Sequence, residues 1–232
     1  VTNQIEVALA PVNPKVPEQA EQAKTATAAL VSRALSSPDS FSEDDLNRLA
    51  NSTDSGLTSG QRKMFANMAN MSRLKREYLD TNQVSEDILN TNPDTGNVGL
   101  KDYQANIADA LASDNTSKLN KNIDGLENFA TVHQAKADAL NNAYRQYQET
   151  GSPVYVIPQG KGTFSTSFVK PSAETENVLE VTSALKKTIQ SVNMEAELLR
   201  AAAKVARTHS KVYTKQVESR AKDEVEAKPK PK

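Results

Sequence analysis

Apolar side chains recur every seventh residue along the C-terminal part of the chain, and this repeat predicts a long helix over residues 173–222. One series of residues occupies the same heptad position throughout, and a second series follows it at an offset of four. The first series is Val178, Leu185, Val192, Leu199, Ala206 and Tyr213, and the second is Thr182, Ile189, Ala196, Ala203, Ser210 and Val217. Because neither glycine nor proline interrupts the run, the pattern is typical of a coiled-coil helix about 75 Å long. An apolar stripe of that length is stable only against a partner.

A second heptad repeat runs from Leu119 to Tyr147 and predicts another long helix, which ends before Gly151. Between the two repeats the apolar period changes to two, and residues 154–169 are predicted to form a strand, a glycine-rich turn and a second strand. The two stripes bury each other if the helices run antiparallel on either side of this insertion. We therefore predict a mainly α fold in which residues 116–222 form a long antiparallel helical hairpin, or coiled coil, interrupted by a β-hairpin.

Shorter patterns fill the N-terminal half of the chain. The prolines and the lack of periodicity in residues 1–17 predict a flexible segment. Residues 18–115 predict a small helical domain, in which Ser42 is placed to cap a helix. A weak apolar stripe marks its first helix, at Ala20, Ala23, Thr27, Leu30 and Ala34. At the other end, charged residues and prolines over 223–232 predict a disordered tail.

Composition narrows the class of protein. Hydrophobic residues make up 37% of the chain and aromatic residues 5%, with no tryptophan, so the cores are expected to be thin and rich in small aliphatic residues. The chain has no cysteine, which excludes disulfides, thiolate metal sites and cysteine nucleophiles. No apolar run is long enough to span a membrane, and the N-terminus has no signal-peptide pattern. We expect a soluble protein whose compartment is unknown, because the absence of cysteine suits the cytosol, export and association with a virion alike.

Residues with potential for catalysis or ligand binding match no enzyme template. His133 occupies a heptad position and is interpreted as a core or interface residue, whereas His209 is interpreted as a solvated neighbour of basic residues. Residues 160–163 lack the spacing of a phosphate-binding loop and are interpreted as a hairpin turn. The turn at 94–98 offers too few oxygen ligands for calcium. We expect no enzymatic activity, no cofactor, no metal and no small-molecule substrate.

Charges along residues 173–222 separate into an acidic first half and a basic second half. The acidic residues are Glu174, Glu176, Glu180, Glu195 and Glu197, and the basic residues are Arg200, Lys204, Arg207, Lys211 and Lys215. This order suits the helix macrodipole, which is one interpretation. A basic stripe that meets an acidic partner, lipid headgroups or nucleic acid is the other. The whole chain is balanced, with 28 basic and 29 acidic residues, so bulk attraction to nucleic acid or membrane is not favoured.

The order of the predicted elements is a helical N-terminal part, a long helix, a small β-containing insertion and a long C-terminal helix. This order resembles the needle-tip proteins of bacterial type III secretion systems, whose two long helices form an intramolecular coiled coil. The segment from 41–46 to 94–98 is similar to helix–loop–helix modules of some plant-associated translocators, and residues 188–199 resemble the C-terminal helix of inner-rod subunits. The resemblance implies a structural role in an export apparatus, which is an argument from architecture.

Three hypotheses of function follow from these patterns. The first is a non-enzymatic helical structural or interaction protein of a bacterial export or translocation assembly. The second is a structural protein of a phage virion or ejection apparatus, and the third is an adaptor that binds an acidic partner, nucleic acid or a membrane surface. Protein partners are expected, including self-association through the C-terminal helix. The predicted partner-binding residues are Leu185, Ile189, Val192, Leu199, Arg200, Lys204, Arg207, Lys211 and Lys215.

Overall fold

The structure is a computed structural model that describes residues 2–11, 16–79 and 83–226. It is mainly α-helical with one small antiparallel sheet, which confirms the predicted fold class. The helices are α1 (Thr2–Leu9), α2 (Pro17–Ser36), α3 (Glu43–Asn51), α4 (Ser59–Leu74), α5 (Glu86–Leu89), α6 (Leu100–Ala112), α7 (Thr116–Thr150) and α8 (Lys186–Glu226). The strands are β1 (Val154–Gly160), β2 (Thr163–Ser167) and β3 (Leu179–Val181).

Local capping chemistry determines where the N-terminal helices begin. Pro17 opens α2, where the N–H that proline lacks would have no helical partner in any case. The hydroxyl of Ser42 accepts a hydrogen bond from the backbone N–H of Asp45 at 3.1 Å, so the predicted cap of α3 is confirmed. Thr58 and Gln61 form a capping box at the start of α4, with reciprocal hydrogen bonds of 2.9 and 3.2 Å.

The prediction that residues 1–17 form a flexible segment is wrong for the residues of α1. This helix buries Ile5 and Ala8 in a core that also contains Leu30 and Val31 of α2. A helix of eight residues is unstable in isolation, so its stability comes from this burial rather than from its own sequence. The local pattern therefore could not reveal it. Residues 12–15 of the predicted segment lie outside the described residues.

The predicted β-hairpin is present as β1 and β2, and β3 joins it to give the strand order β2-β1-β3. Both neighbours of β1 are antiparallel to it. The hairpin turn places Lys161 and Gly162 at positive φ. A Cβ atom at Gly162 would lie 2.4 Å from Cγ2 of Val132 on α7, so the close approach of the turn to this helix requires glycine.

Helix α8 begins later than the predicted residue 173, because part of the predicted helix is strand β3. Leu179 and Val181 alternate with the exposed Glu180, which is the period of a strand with one buried face. Asn177 has a φ of 58°, which a right-handed helix does not allow. The heptad repeat continues by coincidence through these residues and masked their shorter period.

Packing divides the chain into two compact units, each built from separate segments. Unit 1 comprises the described residues of Val1–Arg73, Gln104–Ile123 and Lys204–Lys232, and unit 2 comprises those of Leu74–Tyr103 and Asp124–Ala203. These units differ from the predicted division into 18–115 and 116–222, because α7 and α8 each contribute to both. Helix α8 also extends to Glu226, into the predicted tail at 223–232, of which residues 227–232 lie outside the described part.

Each unit has a hydrophobic core of its own. The core of unit 1 joins α1, α2, α3 and α4 to Val212 of α8. The core of unit 2 joins the sheet to α7 and α8, through Val154, Val156, Val181, Ala137, Leu140, Ala143, Ile189, Val192 and Ala196. Within unit 2, Asn141 of α7 and Asn193 of α8 exchange hydrogen bonds of 2.7 and 3.1 Å. The two long helices therefore pack against each other in unit 2, as predicted.

Candidate partner-binding groove

The apolar residues that were predicted to contact a partner are covered by the chain itself. Ile189 and Val192 belong to the core of unit 2, and Leu199 has no exposed surface. Leu185 is half-buried and packs against the same core. These side chains stabilise the fold, so their assignment as a contact surface for another protein is corrected.

The basic residues of α8 remain at the surface, but they do not form one stripe. Arg200, Lys204, Lys211 and Lys215 are exposed and Arg207 is half-buried. Arg207, Lys211 and Lys215 line a groove in unit 1, which we call the basic groove. Arg200 and Lys204 are not among its lining residues. The candidate site therefore contains the last three of the five predicted basic residues.

The basic groove is open to solvent and has a volume of about 1000 Å³. Helix α2 lines it with residues that share one helical face, Ala20, Ala23, Lys24, Thr27 and Ala28. Helix α8 contributes Arg207, Thr208, Ser210, Lys211, Val212, Thr214, Lys215, Gln216, Glu218 and Ser219 to the lining. The loop before α4 and the first turns of α4 complete the lining with Asp54, Ser55, Gly56, Thr58, Gly60, Gln61 and Lys63.

Side-chain hydrogen bonds hold the loop that forms the end of the groove. The hydroxyl of Ser52 donates to the carbonyl of Leu49 at 2.8 Å, and the hydroxyl of Ser55 donates to the carbonyl of Ser52 at 3.0 Å. The guanidinium of Arg62 donates to the carbonyl of Leu57 at 2.7 Å. Together with the capping box of α4, these bonds give the loop a defined shape.

The lining of the basic groove carries an excess of three positive charges. Five of its side chains are basic, namely Lys24, Lys63, Arg207, Lys211 and Lys215, and two are acidic, namely Asp54 and Glu218. Within the described part of the chain, the four lysines have no ion-pair partner. A concave surface with a net excess of one charge concentrates ligands of the opposite sign. The groove is therefore suited to a ligand that carries carboxylates or other anionic groups.

Thr27 contributes a buried hydroxyl that has no hydrogen-bond partner among the described residues. The residue is only 6% exposed, although it lines the groove. Other helical threonines of this chain, for example Thr131 and Thr214, donate to the carbonyl four residues earlier at 2.8 and 2.9 Å. An unpaired buried hydroxyl costs roughly 1–3 kcal/mol, so its persistence at a groove is consistent with a polar group that arrives from outside.

His209 is buried in unit 1, which corrects its interpretation as a solvated residue. It is 5% exposed, and its Nε2 atom has no hydrogen-bond partner in the described chain. Burial disfavours the charged imidazolium and lowers the pKa of His209 to about 4. The side chain is therefore neutral at physiological pH and does not add to the charge of the neighbouring basic residues.

Unit 2 contains a second pocket of about 740 Å³, in which His133 lies beside Glu195. The Nε2 atom of His133 is 3.3 Å from a carboxylate oxygen of Glu195, and the ring of Phe129 meets the imidazole edge-on at 5.2 Å. The other oxygen of Glu195 accepts from the backbone N–H of Ser85 at 3.1 Å and from the hydroxyl of Ser191 at 3.4 Å. Glu195 is thus a buried acceptor that ties α7, α8 and the start of α5 together.

Replacing Glu195 with alanine is expected to lower the free energy of unfolding by about 2–4 kcal/mol, because His133 and the Ser85 N–H lose their acceptor in a buried place. Chemical denaturation followed by circular dichroism measures the change. Glu195→Gln keeps an acceptor and should cost less, and Glu174→Ala, at an exposed position, serves as the control. An unfolding midpoint for Glu195→Ala equal to that of the wild type would contradict this role.

The sequence indicated His133 as a core or interface residue but did not indicate its partner. The charge pattern placed Glu195 in the acidic first half of the predicted helix and gave no sign of its burial, and in the structure it is 5% exposed. One signal was present, because Glu195 lies next to Ala196 of the heptad series and therefore near the buried face. Among the described residues, no group of three or more His, Asp or Glu side chains is arranged to hold a metal ion.

Comparison with protein-family models, with curated proteins and with solved structures finds no match to this chain. Within the described residues, no helix combines the length and apolar character needed to cross a membrane. The chemistry of the basic groove is therefore the basis on which a function can be inferred.

Proposed function

We propose that this chain is a non-enzymatic helical interaction protein that holds an acidic segment of a partner protein in the basic groove. The observation that carries the proposal is the lining of this groove. Arg207, Lys211 and Lys215 line one side, and Lys24 of α2 and Lys63 of α4 add positive charge from other elements. A bacterial export or translocation assembly is the setting we propose, on the basis of the element order that resembles needle-tip proteins.

Two features of the groove favour a protein partner over other polyanions. Its lining includes apolar and small residues beside the charges, such as Ala20, Ala28 and Val212, which offer contact area to a folded segment. Asp54 and Glu218 are also present, and they would repel a uniformly charged phosphate backbone. A protein segment can place carboxylates against the lysines and avoid the two acidic positions.

Selection from a display library of randomised helical peptides tests this function. Peptides that bind the wild-type protein should be enriched in glutamate and aspartate, and should bind the double variant Lys211→Glu, Lys215→Glu at least about tenfold more weakly. The double variant Lys186→Glu, Lys187→Glu is the matched control, because these lysines are exposed on the same helix outside the groove. Selected peptides without acidic enrichment, or with equal affinity for the groove variant, would overturn the proposal.

Duplex DNA and vesicles that contain phosphatidylserine serve as competing probes in the same assay. We expect both to bind weakly, with an affinity that falls steeply as salt is raised. If either one binds tightly and loses its affinity in the Lys211→Glu, Lys215→Glu variant, while no acidic peptide is selected, the partner is not a protein and the proposal is overturned.

A further inference from the structure

We infer that the basic groove receives one amphipathic α-helix, about three turns long, with carboxylates along one edge and a polar side chain facing Thr27. This inference rests on the proposed function and specifies the conformation and chemistry of the partner segment at the same site. Four properties of the groove lead to it, namely its shape, its small lining residues, its charge spacing and its unpaired hydroxyl.

The shape of the groove suits a helix because two of its sides are themselves helices. The lining residues of α8 extend from Arg207 to Glu218, which corresponds to about 17 Å along the helix axis. The lining residues of α2 extend from Ala20 to Ala28, about 12 Å. A three-turn helix of the partner has a matching length, and helices commonly bind in grooves between other helices.

Small residues in the lining of the groove allow the backbone of a helix to approach closely. Ala20 and Ala28 of α2 have no side-chain atom beyond Cβ, and Gly56 and Gly60 have none at all. A Cβ atom built at Gly56 would meet only the hydroxyl of Thr27 within 4 Å, at 3.7 Å. Small residues at a helix contact permit short distances between helix axes, as in other close helix packings. The partner helix is expected to place alanine, serine or glycine on this face.

The spacing of the basic residues on α8 matches the spacing of side chains on a helix. Arg207, Lys211 and Lys215 are separated by four residues each, so they form one row along α8. A partner helix packed alongside α8 meets this row with acidic residues that are also three or four apart. Lys24 on α2 adds a positive charge to the lining from a second helix. A partner helix with one acidic edge facing α8, and with a further carboxylate near Lys24, matches the positive charges of the groove.

Thr27 provides an observation that is independent of charge. Its hydroxyl is buried and lacks a partner within the described residues, and the residue lines the groove. A polar side chain from the small-residue face of the partner helix would complete it. The hydroxyl would then contribute to binding, although it contributes nothing favourable to the stability of the free protein.

The test uses the full-length chain and two labelled peptides of about 18 residues, which is long enough for partial helicity in water. Both are rich in alanine with glutamate at every fourth position and serine on the opposite face, and the second has two central alanines replaced by proline. Fluorescence anisotropy is expected to show binding of the first peptide and at least about tenfold weaker binding of the proline-containing peptide, because proline breaks the helix without changing the charge.

Two variants of the protein separate groove binding from surface attraction. Ala28→Trp places a large side chain in the groove at an exposed helical position and should weaken binding about tenfold or more. Gln19→Trp, also exposed on α2 but outside the groove lining, should leave affinity unchanged. Thr27→Val should weaken binding about fivefold while the melting temperature of the free protein stays equal or rises, and a purely structural role of Thr27 would give the opposite pattern.

The outcomes separate this inference from the proposed function. If Lys211→Glu, Lys215→Glu abolishes binding, but the proline peptide, Ala28→Trp and Thr27→Val all bind like the reference, acidic segments bind without entering the groove as a helix. The helix inference is then overturned and the proposed function stands. If the charge-reversed variant binds the first peptide as well as the wild type, or if that peptide does not bind the wild type at all, both are overturned.

Discussion

Replacing Leu199 with aspartate is expected to prevent the protein from folding stably at room temperature. Leu199 has no exposed surface, so the substitution would bury a carboxylate without a partner and remove an apolar side chain from the core. Each effect costs several kcal/mol, and together they approach the whole stability of a typical domain, about 5–15 kcal/mol. Thermal unfolding followed by far-ultraviolet circular dichroism measures the effect.

The same helix offers a matched control for this substitution. Val217 belongs to the other heptad series and was predicted from the same pattern, but it is 43% exposed. Val217→Asp is therefore expected to change the free energy of unfolding by no more than about 0.5 kcal/mol. If the Leu199→Asp protein has the melting temperature of the wild type, Leu199 is exposed in the folded protein. Its predicted role as a partner contact would then be restored.

Acidification from pH 7 to pH 4 is expected to remove about 3 kcal/mol of stability through His209 alone. In the folded protein burial lowers the pKa of His209 to about 4, whereas the unfolded chain binds a proton near pH 6.5. The unfolded state therefore binds more protons than the folded state between these two values. The contribution of His209 to stability is complete above about pH 6.5 and is lost as the pH falls towards 4.

His209→Leu isolates this contribution, because the variant keeps all other titrating groups, including His133 and the carboxylates. Urea denaturation of both proteins at several pH values gives the difference in free energy of unfolding between variant and wild type. That difference should increase in favour of the variant by about 3 kcal/mol from pH 7 to pH 4. A difference that stays constant over this range would show that His209 is accessible to water in the folded protein.

The long-range pattern of the chain predicted the fold class and several elements well. Helix α7 and the hairpin of β1 and β2 follow from uninterrupted periodicity and from Gly151 and Pro153, which end the helix. Residues 173–185 were predicted incorrectly because a heptad repeat and a two-residue alternation coincide there. Residues 179–181 form a strand rather than a helix because β3 pairs with β1. This pairing is a tertiary contact, which the local pattern does not show.

His209 shows a different limit of the sequence pattern. A heptad repeat assumes that a helix is covered along one stripe, so a histidine beside the basic residues was expected in solvent. The structure instead buries Ala201, Ala202 and Ala203 in succession, which places neighbouring chain on more than one side of α8. His209 is buried in the same broad face of α8. Its burial could not be predicted from the sequence, because its side chain is polar.

The basic groove could be predicted only in part. The four-residue spacing of Arg207, Lys211 and Lys215 was visible, and it indicated a basic surface. Lys24 and Thr27 lie far from them in sequence, and their placement in the same groove depends on the packing of unit 1. Thr27 had been assigned to an apolar stripe, so its unpaired hydroxyl became apparent only from the hydrogen bonds of the structure.

Unit 1 is built from three separate segments of the chain, and this has a consequence for how the protein folds during translation. Val212 of α8 belongs to the same core as Leu30 of α2. This core is therefore incomplete until α8 has been synthesised. At roughly 5–20 residues per second, translation separates the two residues by roughly ten to forty seconds. During that time the N-terminal helices expose apolar surface inside the cell. A chaperone that shields nascent chains would therefore find apolar surface on these helices during that interval.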